Sequence, residues 1–208
     1  MSVGSSISDN SSLSTSELRK AIRKQRRQLS PYQQAAAAQA CLTTLIHRPE
    51  FKHAQHIGLY LHAFGEVSTH QIILNCFKQH KRVYLPRICP MNQVLTWVPI
   101  TLQQYQRKQF YRHRLGMHEP MQNTHRRVEH LDLLIMPLLA CDQVGMRIGM
   151  GGGYYDRTLA NAAQRPFRLG LAHDFQYVAQ HFKAQIWDQG LDALLCPSAW
   201  KSFKRIRR

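Results

Sequence analysis

The chain has 208 residues, is 44% hydrophobic and carries 28 Lys and Arg against 12 Asp and Glu, which gives a formal charge of +16. This length fits one domain whose core is large enough to carry an enzyme site. The five cysteines have neither CxxC pairing nor the spacing of zinc ligands, which excludes a disulfide-stapled secreted fold and a structural zinc site. Residues 2–16 lack the features of a signal peptide, and no later apolar run is long enough to span a bilayer. We therefore expect a cytoplasmic protein that does not engage a membrane.

The first predicted helix begins after a polar, serine-rich segment. Residues 1–14 have little to bury, so we expect them to be disordered. Leu18, Ile22 and Leu29 then share the apolar face of a helix. The flank beside this face is a basic stripe made of Arg19, Arg23, Arg26 and Arg27. Most members of such a stripe are expected to be solvated, with one or two of them reaching a phosphate.

The rest of the chain alternates between predicted strands and helices. Strands are predicted at 57–61, 82–86, 94–98, 131–137, 167–172 and 193–196, and helices at 35–45, after a Ser68 cap, at 155–163 and at 175–182. Residues 116–120 are predicted to form a loop. This alternation favours a single Rossmann-like α/β domain of three layers over 15–200, with a mostly parallel sheet flanked by helices. Residues 201–208, KSFKRIRR, are predicted to be a mobile basic tail.

A glycine cluster at 147–157, RIGMGGGYYDR, lies between a predicted buried strand and a predicted helix. Glycines there let the backbone approach a ligand and direct N–H groups at an anion. Arg147 adds a permanent cation suited to a phosphate. The segment has neither the Lys-Ser/Thr ending of a Walker A loop nor a GxGxxG pattern. A glycine cluster alone is also compatible with a tight turn, but the adjoining Arg147, Tyr154, Tyr155 and Asp156 favour a phosphate site.

The stretch LLIMPLLACDQVGMRIGMGGGYYDRTL resembles the signature of the 5-formyltetrahydrofolate cyclo-ligase family. The similarity runs from Leu18 to Ser198 and takes in, in order, LRKAIRKQRRQLS, GEVST, RVYLPR, HEP and WDQGLD. It implies a NagB/RpiA/CoA-transferase-like fold and an enzyme that uses Mg²⁺ and the co-substrate ATP. In the implied reaction the formyl oxygen of 5-formyltetrahydrofolate attacks the γ-phosphate. N10 then captures the iminium phosphate to give 5,10-methenyltetrahydrofolate, ADP and phosphate. We expect a monomer whose partners are these small molecules.

The resemblance also implies the site residues. ATP would be bound by Arg19, Arg23, Arg147, Ile148, Gly149, Met150, Gly151, Gly152, Gly153, Tyr154 and Tyr155, with Arg147 also catalytic. The folate would be bound by Leu61, Glu66, Met150, Gly151, Gly152, Gly153 and Tyr154. The metal would be held by Asp156 and Asp188. By position alone, Glu66 would be a solvated loop residue and Asp188 a turn or cap residue.

Some positions depart from the family pattern or leave alternatives open. Thr15 stands where the family often has a lysine, so the match shifts to Arg19 and Arg23. Cys141 replaces a phenylalanine and is expected to be a small buried apolar residue rather than a nucleophile, because no activating base is identifiable. Asp142 is either a structural cap or a partner of a ligand-binding residue.

Two other classes of function compete with the enzyme. The +16 charge, the arginine stripe and the basic tail are also typical of a nucleic-acid-binding protein, although no known nucleic-acid-binding motif accompanies them. A folate-binding protein that kept the fold but lost turnover is the other alternative. The intact segment at 147–157 argues against it, and we expect no specific nucleic-acid partner.

Overall fold

The computed structural model describes residues 14–122, 124–179 and 181–205. Its helices are α1 (Thr15–Gln28), α2 (Pro31–Leu45), α3 (Pro49–His53), α4 (His70–Lys78), α5 (Leu102–Gln106) and α6 (Tyr154–Leu159). Its strands are β1 (His56–Gly58), β2 (Arg82–Ile88), β3 (Leu95–Ile100), β4 (Phe110–Arg112), β5 (His118–Pro120), β6 (Leu133–Pro137), β7 (Ala140–Cys141), β8 (Arg147–Ile148), β9 (Phe167–Leu171), β10 (Ala193–Cys196) and β11 (Ala199–Ser202). Short 3₁₀ turns occupy Val128–His130 and Asp174–Gln176.

Seven strands form one sheet in the order β11-β10-β9-β6-β1-β2-β3. The five inner strands are parallel, whereas β3 and β11 pair antiparallel at the two edges. Along the chain, β1 is followed by β2 on one side of it and later by β6 on the other, so the strand order reverses between β1 and β6. Ligands of open α/β sheets bind beside such a reversal, outside the carboxyl ends of the strands. The mostly parallel α/β sheet predicted from the sequence is confirmed.

Strand β6 shows how the sheet separates two apolar layers. Leu133 and Ile135 face a cluster that includes Leu45 of α2 and Ile72 of α4. Leu134 and Met136 face the other cluster, which includes Leu159 of α6 and Trp97. Successive side chains of a strand point to opposite faces, so a continuous apolar run requires cover on both sides. This arrangement gives the three layers that the sequence predicted.

Helix α1 lies against the segment that follows β6. Ser14, the last residue of the segment predicted to be disordered, caps α1 in a capping box with Glu17, and the rest of that segment lies outside the described residues. Leu18 and Ile22 are buried against Leu139, Ala140 and Ile148. The prediction for the arginine stripe is wrong at one position, since Arg26 is only 1% exposed. Residues 18, 22 and 26 are four positions apart, so Arg26 lies on the same buried face of the helix as Leu18 and Ile22.

Local structure differs from the prediction in two segments. HEP at 118–120 was predicted to be a loop but forms β5, paired antiparallel with β4. The predicted helix at 175–182 is reduced to the 3₁₀ turn at Asp174–Gln176. The chain leaves helical geometry there because Val178 donates its N–H to Cys141 O, and the Gln176 amide donates to Leu138 O and Leu139 O.

The predicted basic tail is also different in the structure. Its first residues complete β11, which pairs with β10. Phe203 packs against Gly145 and donates its N–H to Asp192 O at 2.8 Å. Arg205 forms an ion pair with Asp192 at 3.1 Å and donates to Ala163 O. The domain therefore continues at least to Arg205, and the rest of the predicted tail lies outside the described residues.

Candidate active site

One large cleft opens at the carboxyl ends of the central strands, beside the reversal between β1 and β6. Its walls include Leu61 and Glu66 from the segment after β1, Leu138 after β6, and the glycine loop at 149–153 between β8 and α6. The cleft has a volume of about 1190 Å³. Since a single drug-sized ligand occupies a pocket of roughly 300–1,000 Å³, this cleft has room for two small molecules side by side.

The glycine loop requires glycine at two positions by backbone geometry. Gly151 has φ +104° and Gly153 has φ +64°, values that other residues rarely adopt. A Cβ atom built on Gly151 would meet nothing within 4 Å, so the loop there faces open space. A phosphate site, which the sequence predicted here, needs a backbone that is exposed and that a phosphate can approach closely.

Three arginines hold the glycine loop by its carbonyl oxygens. Arg19 Nε donates to Gly149 O at 3.0 Å, and Arg23 Nη2 lies 3.5 Å from Met150 O. The third, Arg157, donates to Gly152 O at 2.6 Å and was not assigned a role from the sequence. The sequence feature that could have identified Arg157 is its position in α6, one helical turn after the loop. The structure thus brings the predicted Arg19 and Arg23 to the loop and adds Arg157.

Arg147 and Asp156 are directly paired. Arg147 Nη2 donates to Asp156 Oδ1 at 2.8 Å, and the Arg147 side chain is 4% exposed. The backbone N–H of Gln189 donates to the same Oδ1 at 3.0 Å. The guanidinium carbon lies 5.5 Å from the Tyr155 ring. The predicted phosphate cation and the predicted metal carboxylate therefore share one wall of the cleft and neutralise each other.

The residues present fit a magnesium ion that is shared with phosphate oxygens. Asp156 and Asp188 both line the cleft, and both hydrogen bonds to Asp156 fall on Oδ1. Asp188 Oδ2 accepts the Gln185 N–H at 2.7 Å. Across the described ranges, no group of three or more His, Cys, Asp or Glu is arranged to hold a metal. Mg²⁺ commonly takes one or two carboxylates together with substrate phosphates and water, and this donor set matches that mode.

Glu66 is buried, although its position in a loop had suggested a solvated carboxylate. Its Oε2 accepts the Ala63 N–H at 3.0 Å, and its Oε1 lies 3.8 Å from Arg26 Nη1. Burial raises the pKa of Glu66, while the Arg26 charge and the Ala63 N–H act to lower it. Leu61 is half-buried beside it in the cleft wall. A carboxylate in such a place accepts hydrogen bonds in a site of low polarity.

Exposed apolar side chains line the cleft. Phe64 is 53% exposed, Met150 49% and Trp187 62%, and all three line it. Sequence reasoning missed Phe64 and Trp187, because a single apolar residue in a loop carries no periodic signal. Large exposed apolar groups at a concave site are typical of small-molecule binding.

The two open questions near the buried strand are answered by contacts. Cys141 is fully buried, and burial raises the pKa of its thiol well above the usual range. Asp142 accepts the backbone N–H groups of Val144, Met146 and Phe182. Cys141 is therefore the inert apolar residue expected, and Asp142 is a structural cap of the turn between β7 and β8.

A glycine loop with exposed backbone and a buried carboxylate in one cleft, beside the strand-order reversal of a parallel sheet, are the features of a ligand-binding α/β enzyme domain. None of the described helices is both long enough and apolar enough to cross a bilayer.

Comparison with known proteins identifies the family. A sequence model of the 5-formyltetrahydrofolate cyclo-ligase family matches residues 11–197. The 5-formyltetrahydrofolate cyclo-ligase of Escherichia coli (strain K12) is 35% identical over 180 residues, which cover 85% of this chain and 97% of that protein. The Haemophilus influenzae protein of the same name is 36% identical over 186 residues, covering 86% and 95%. The chain therefore belongs to the 5-formyltetrahydrofolate cyclo-ligase family, as the sequence resemblance predicted.

Solved structures agree with this assignment. The NMR structure of Aquifex aeolicus 5,10-methenyltetrahydrofolate synthetase superposes with a TM-score of 0.77 at 25% identity, covering 93% of this chain and 95% of that one. A 5,10-methenyltetrahydrofolate synthetase from Mycoplasma pneumoniae gives a TM-score of 0.70 at 20% identity and covers 89% and 99%. The second similarity supports the fold alone.

Proposed function

We propose that this chain converts 5-formyltetrahydrofolate to 5,10-methenyltetrahydrofolate at the expense of ATP and with Mg²⁺. The observation that carries the proposal is that the glycine loop at 149–153 and the buried carboxylate of Glu66 line the same cleft of about 1190 Å³. The loop suits the phosphates of one substrate and the carboxylate suits the N–H groups of the other. The reacting groups of ATP and folate would then meet inside the cleft.

In this proposal the nucleotide lies along the glycine loop. Residues 147–155 bind ATP through backbone N–H groups and the Arg147 guanidinium, and Arg19 and Arg23 join them from α1. The proposal is supported by the contacts of these two arginines with Gly149 O and Met150 O, because carbonyls that are tied back leave the amide side of the loop to the phosphates. Asp156 and Asp188 would hold Mg²⁺ together with phosphate oxygens, where the ion neutralises charge.

The folate lies against the other wall. Glu66 accepts hydrogen bonds from pterin N–H groups, and Leu61 packs beside the ring. Residues 150–154 contact both substrates, since they line the cleft that the two substrates share. This placement puts the N5-formyl group next to the terminal phosphate of ATP, so the two substrates are aligned rather than activated by a strong base.

The chemistry then needs two displacements. The formyl oxygen attacks the γ-phosphorus and ADP leaves, so the folate becomes an iminium phosphate. N10 adds to the formyl carbon and loses its proton, and the C–O bond breaks as phosphate departs. Arg147 stabilises the charge that builds up on the transferring phosphoryl oxygens, and glycine N–H groups do the same. The apolar side chains of Phe64, Met150 and Trp187, which line the cleft, would limit water at the reacting atoms.

The test is a turnover assay with two readouts. Purified protein is mixed with 5-formyltetrahydrofolate, ATP and Mg²⁺, the methenyl product is followed by near-ultraviolet absorbance, and ADP is measured by a coupled assay. We expect one ADP per ring closed and no product when ATP or Mg²⁺ is left out. Ring closure without ADP, or ADP release that ignores folate, would contradict the proposal. Folate binding without turnover would favour the non-catalytic alternative.

A further inference from the structure

We infer that Arg26 is a positioning residue for the folate, because it places a buried positive charge beside the Glu66 carboxylate in the cleft wall. The inference deepens the proposed function and rests on the assignment of Glu66 to the folate. Arg26 was predicted to be one member of a solvated stripe, and instead its side chain is 2% exposed while that of Glu66 is 10% exposed. A buried arginine beside a buried carboxylate is costly unless both make further contacts.

The contacts of this pair leave the carboxylate available to a ligand. The Arg26 guanidinium donates a hydrogen bond to Leu138 O, just after β6, rather than to Glu66. Its Nη1 lies 3.8 Å from Glu66 Oε1, which is beyond hydrogen-bond distance. Ala63 N–H occupies the other oxygen, Oε2. Arg26 therefore supplies charge and position to Glu66 without occupying the lone pairs that would meet the pterin.

The loop that carries Glu66 is packed directly on α1 at Arg26. Gly65 has φ +75°, and a Cβ there would lie 2.8 Å from the Arg26 carbonyl oxygen, so no other residue fits. On the opposite side, His173 Nε2 lies 3.1 Å from Gly65 O. Arg19, two helical turns earlier on α1, holds Gly149 O of the glycine loop. One helix thus contacts both the proposed ATP wall and the proposed folate wall.

The charge of Arg26 favours the ionised form of Glu66, which is the form that only accepts hydrogen bonds. Among the described residues, the titratable or charged groups that interact with Glu66 are Arg26 from α1, Tyr60 from the segment after β1 and Tyr155 from α6. His173 lies against the carbonyl oxygen of the neighbouring Gly65. Burial raises the pKa of both tyrosines, so they are neutral neighbours, whereas arginine stays charged when buried. Burial alone would favour a protonated Glu66, which carries an O–H donor and loses acceptor capacity. Arg26 opposes that change.

The experiment compares Arg26→Met and Arg26→Lys with wild type. The folate KM, the ATP KM and the calorimetric Kd for 5-formyltetrahydrofolate are measured between pH 5.5 and 9. For Arg26→Met we expect the pH below which folate binding weakens to rise by about 1 to 3 units, the shift that one close opposite charge produces. Folate KM at neutral pH should rise by about tenfold or more, with ATP KM changing by less than about threefold. Arg26→Lys keeps the charge and should restore most of the pH profile.

Two further proteins separate positioning from general damage. Lys81 is a buried cation whose Nζ donates to Lys52 O and Ala54 O next to the amino end of β2, away from the cleft, so Lys81→Met is the matched control. It should lower thermal stability without moving the folate pH profile. In a Glu66→Gln background, Arg26→Met should add little to the folate KM, because its effect passes through Glu66.

The possible outcomes decide between the two ideas. Unchanged folate Kd and pH profile in both Arg26 variants, or an equal change in Lys81→Met, would overturn the role of Arg26. If Arg26→Met does not fold, a folate pH profile in Arg26→Lys that is displaced as far as the shift expected for Met would also overturn it. The calorimetric Kd needs no turnover, so a wild-type protein that binds folate but closes no ring would contradict the proposed function and still test this inference.

Discussion

Arg147 Nη2 and Asp156 Oδ1 lie 2.8 Å apart, so the residue proposed to bind the ATP phosphates forms an ion pair with the residue proposed to bind Mg²⁺. The Arg147 side chain is 4% exposed and that of Asp156 is 20% exposed. Removing one partner of such a pair leaves the other buried without its countercharge. Variants at either position therefore change both folding and chemistry, and each test has to measure the two separately.

Replacing Arg147 by Ala should reduce kcat/KM for ring closure by an amount equivalent to ~2 to 4 kcal/mol of transition-state stabilisation. The guanidinium is proposed to meet charge that builds up on the transferring phosphoryl group, so kcat should fall with it. Steady-state kinetics at saturating Mg²⁺ measures the change, and thermal unfolding measures the structural part. Arg157→Ala, which removes a loop contact but no proposed phosphate contact, is the matched control and should lose much less in kcat.

Replacing Asp156 by Asn should raise the Mg²⁺ concentration needed for half-maximal turnover. The amide keeps an acceptor oxygen for Arg147 and for the Gln189 N–H but removes the countercharge of the buried guanidinium, so we expect a loss of stability that is measured separately by thermal unfolding. Loss of the carboxylate charge should weaken the binding of Mg²⁺, a hard cation that prefers carboxylate ligands. Turnover is titrated with Mg²⁺ for both proteins. An unchanged Mg²⁺ midpoint, together with equal losses of activity and melting temperature, would show that Asp156 is only a structural partner of Arg147.

Replacing Glu66 by Gln should raise the folate KM more than the ATP KM. Gln keeps one acceptor oxygen but brings an NH₂ group that cannot accept the pterin N–H donors. Initial rates are measured over a grid of both substrates. If only the ATP KM changed, Glu66 would belong to the other ligand.

A structural feature could be predicted from the sequence when its cause was local, that is, when it depended on residues close together in the chain. The glycine loop was predictable because glycine at φ +104° and φ +64° is a local requirement, which the spelling GMGGG reveals. Strand β6 was predictable for the same kind of reason, since LLIMP is apolar at every position. These features identified the fold and the family before any contact between distant residues was known.

Arg26 and Phe203 were misjudged because their surroundings come from distant parts of the chain. Arg26 is buried by Leu138 and Glu66, which lie 112 and 40 residues further along the sequence. Phe203 is covered by Gly145 from the turn between β7 and β8. The helix predicted at 175–182 failed similarly, since Gln176 bonds to the backbone after β6. Long-range partners of this kind leave no periodic pattern in one sequence.

Replacing Phe203 by Ala should destabilise the domain while leaving each folded molecule active. The ring is half-buried against Gly145 and lies in the apolar cluster that also contains Leu191 and Leu194. The loss should be about 2 kcal/mol, below the range for a fully buried phenylalanine. Urea denaturation gives the free energy of unfolding, and turnover per folded molecule gives the activity.

Deleting residues 206–208 is the comparison, and we expect it to reduce nonspecific binding to polyanions because it removes basic residues. A loss of kcat in Phe203→Ala would mean that this end of the chain shapes the cleft.

The stability of the protein should fall in mild acid in part because of His173. This imidazole is 4% exposed, lies 3.1 Å from Gly65 O through Nε2 and stacks on Phe175 with ring centroids 5.5 Å apart. Burial is the main cause that lowers its pKa below the ordinary value of 6.5. Because the unfolded chain then takes up a proton before the folded one does, the contribution of neutral His173 is complete above about pH 6.5 and is lost as the pH falls below it. A single proton limits the slope of the free energy of unfolding against pH to about 1.4 kcal/mol per pH unit.

Urea unfolding of wild type and His173→Gln at several pH values between 5 and 7.5 measures this slope, with the exposed His47→Gln as control. We expect the wild type and His47→Gln to lose stability in parallel and His173→Gln to lose less; identical slopes in all three would show that His173 does not titrate differently on folding.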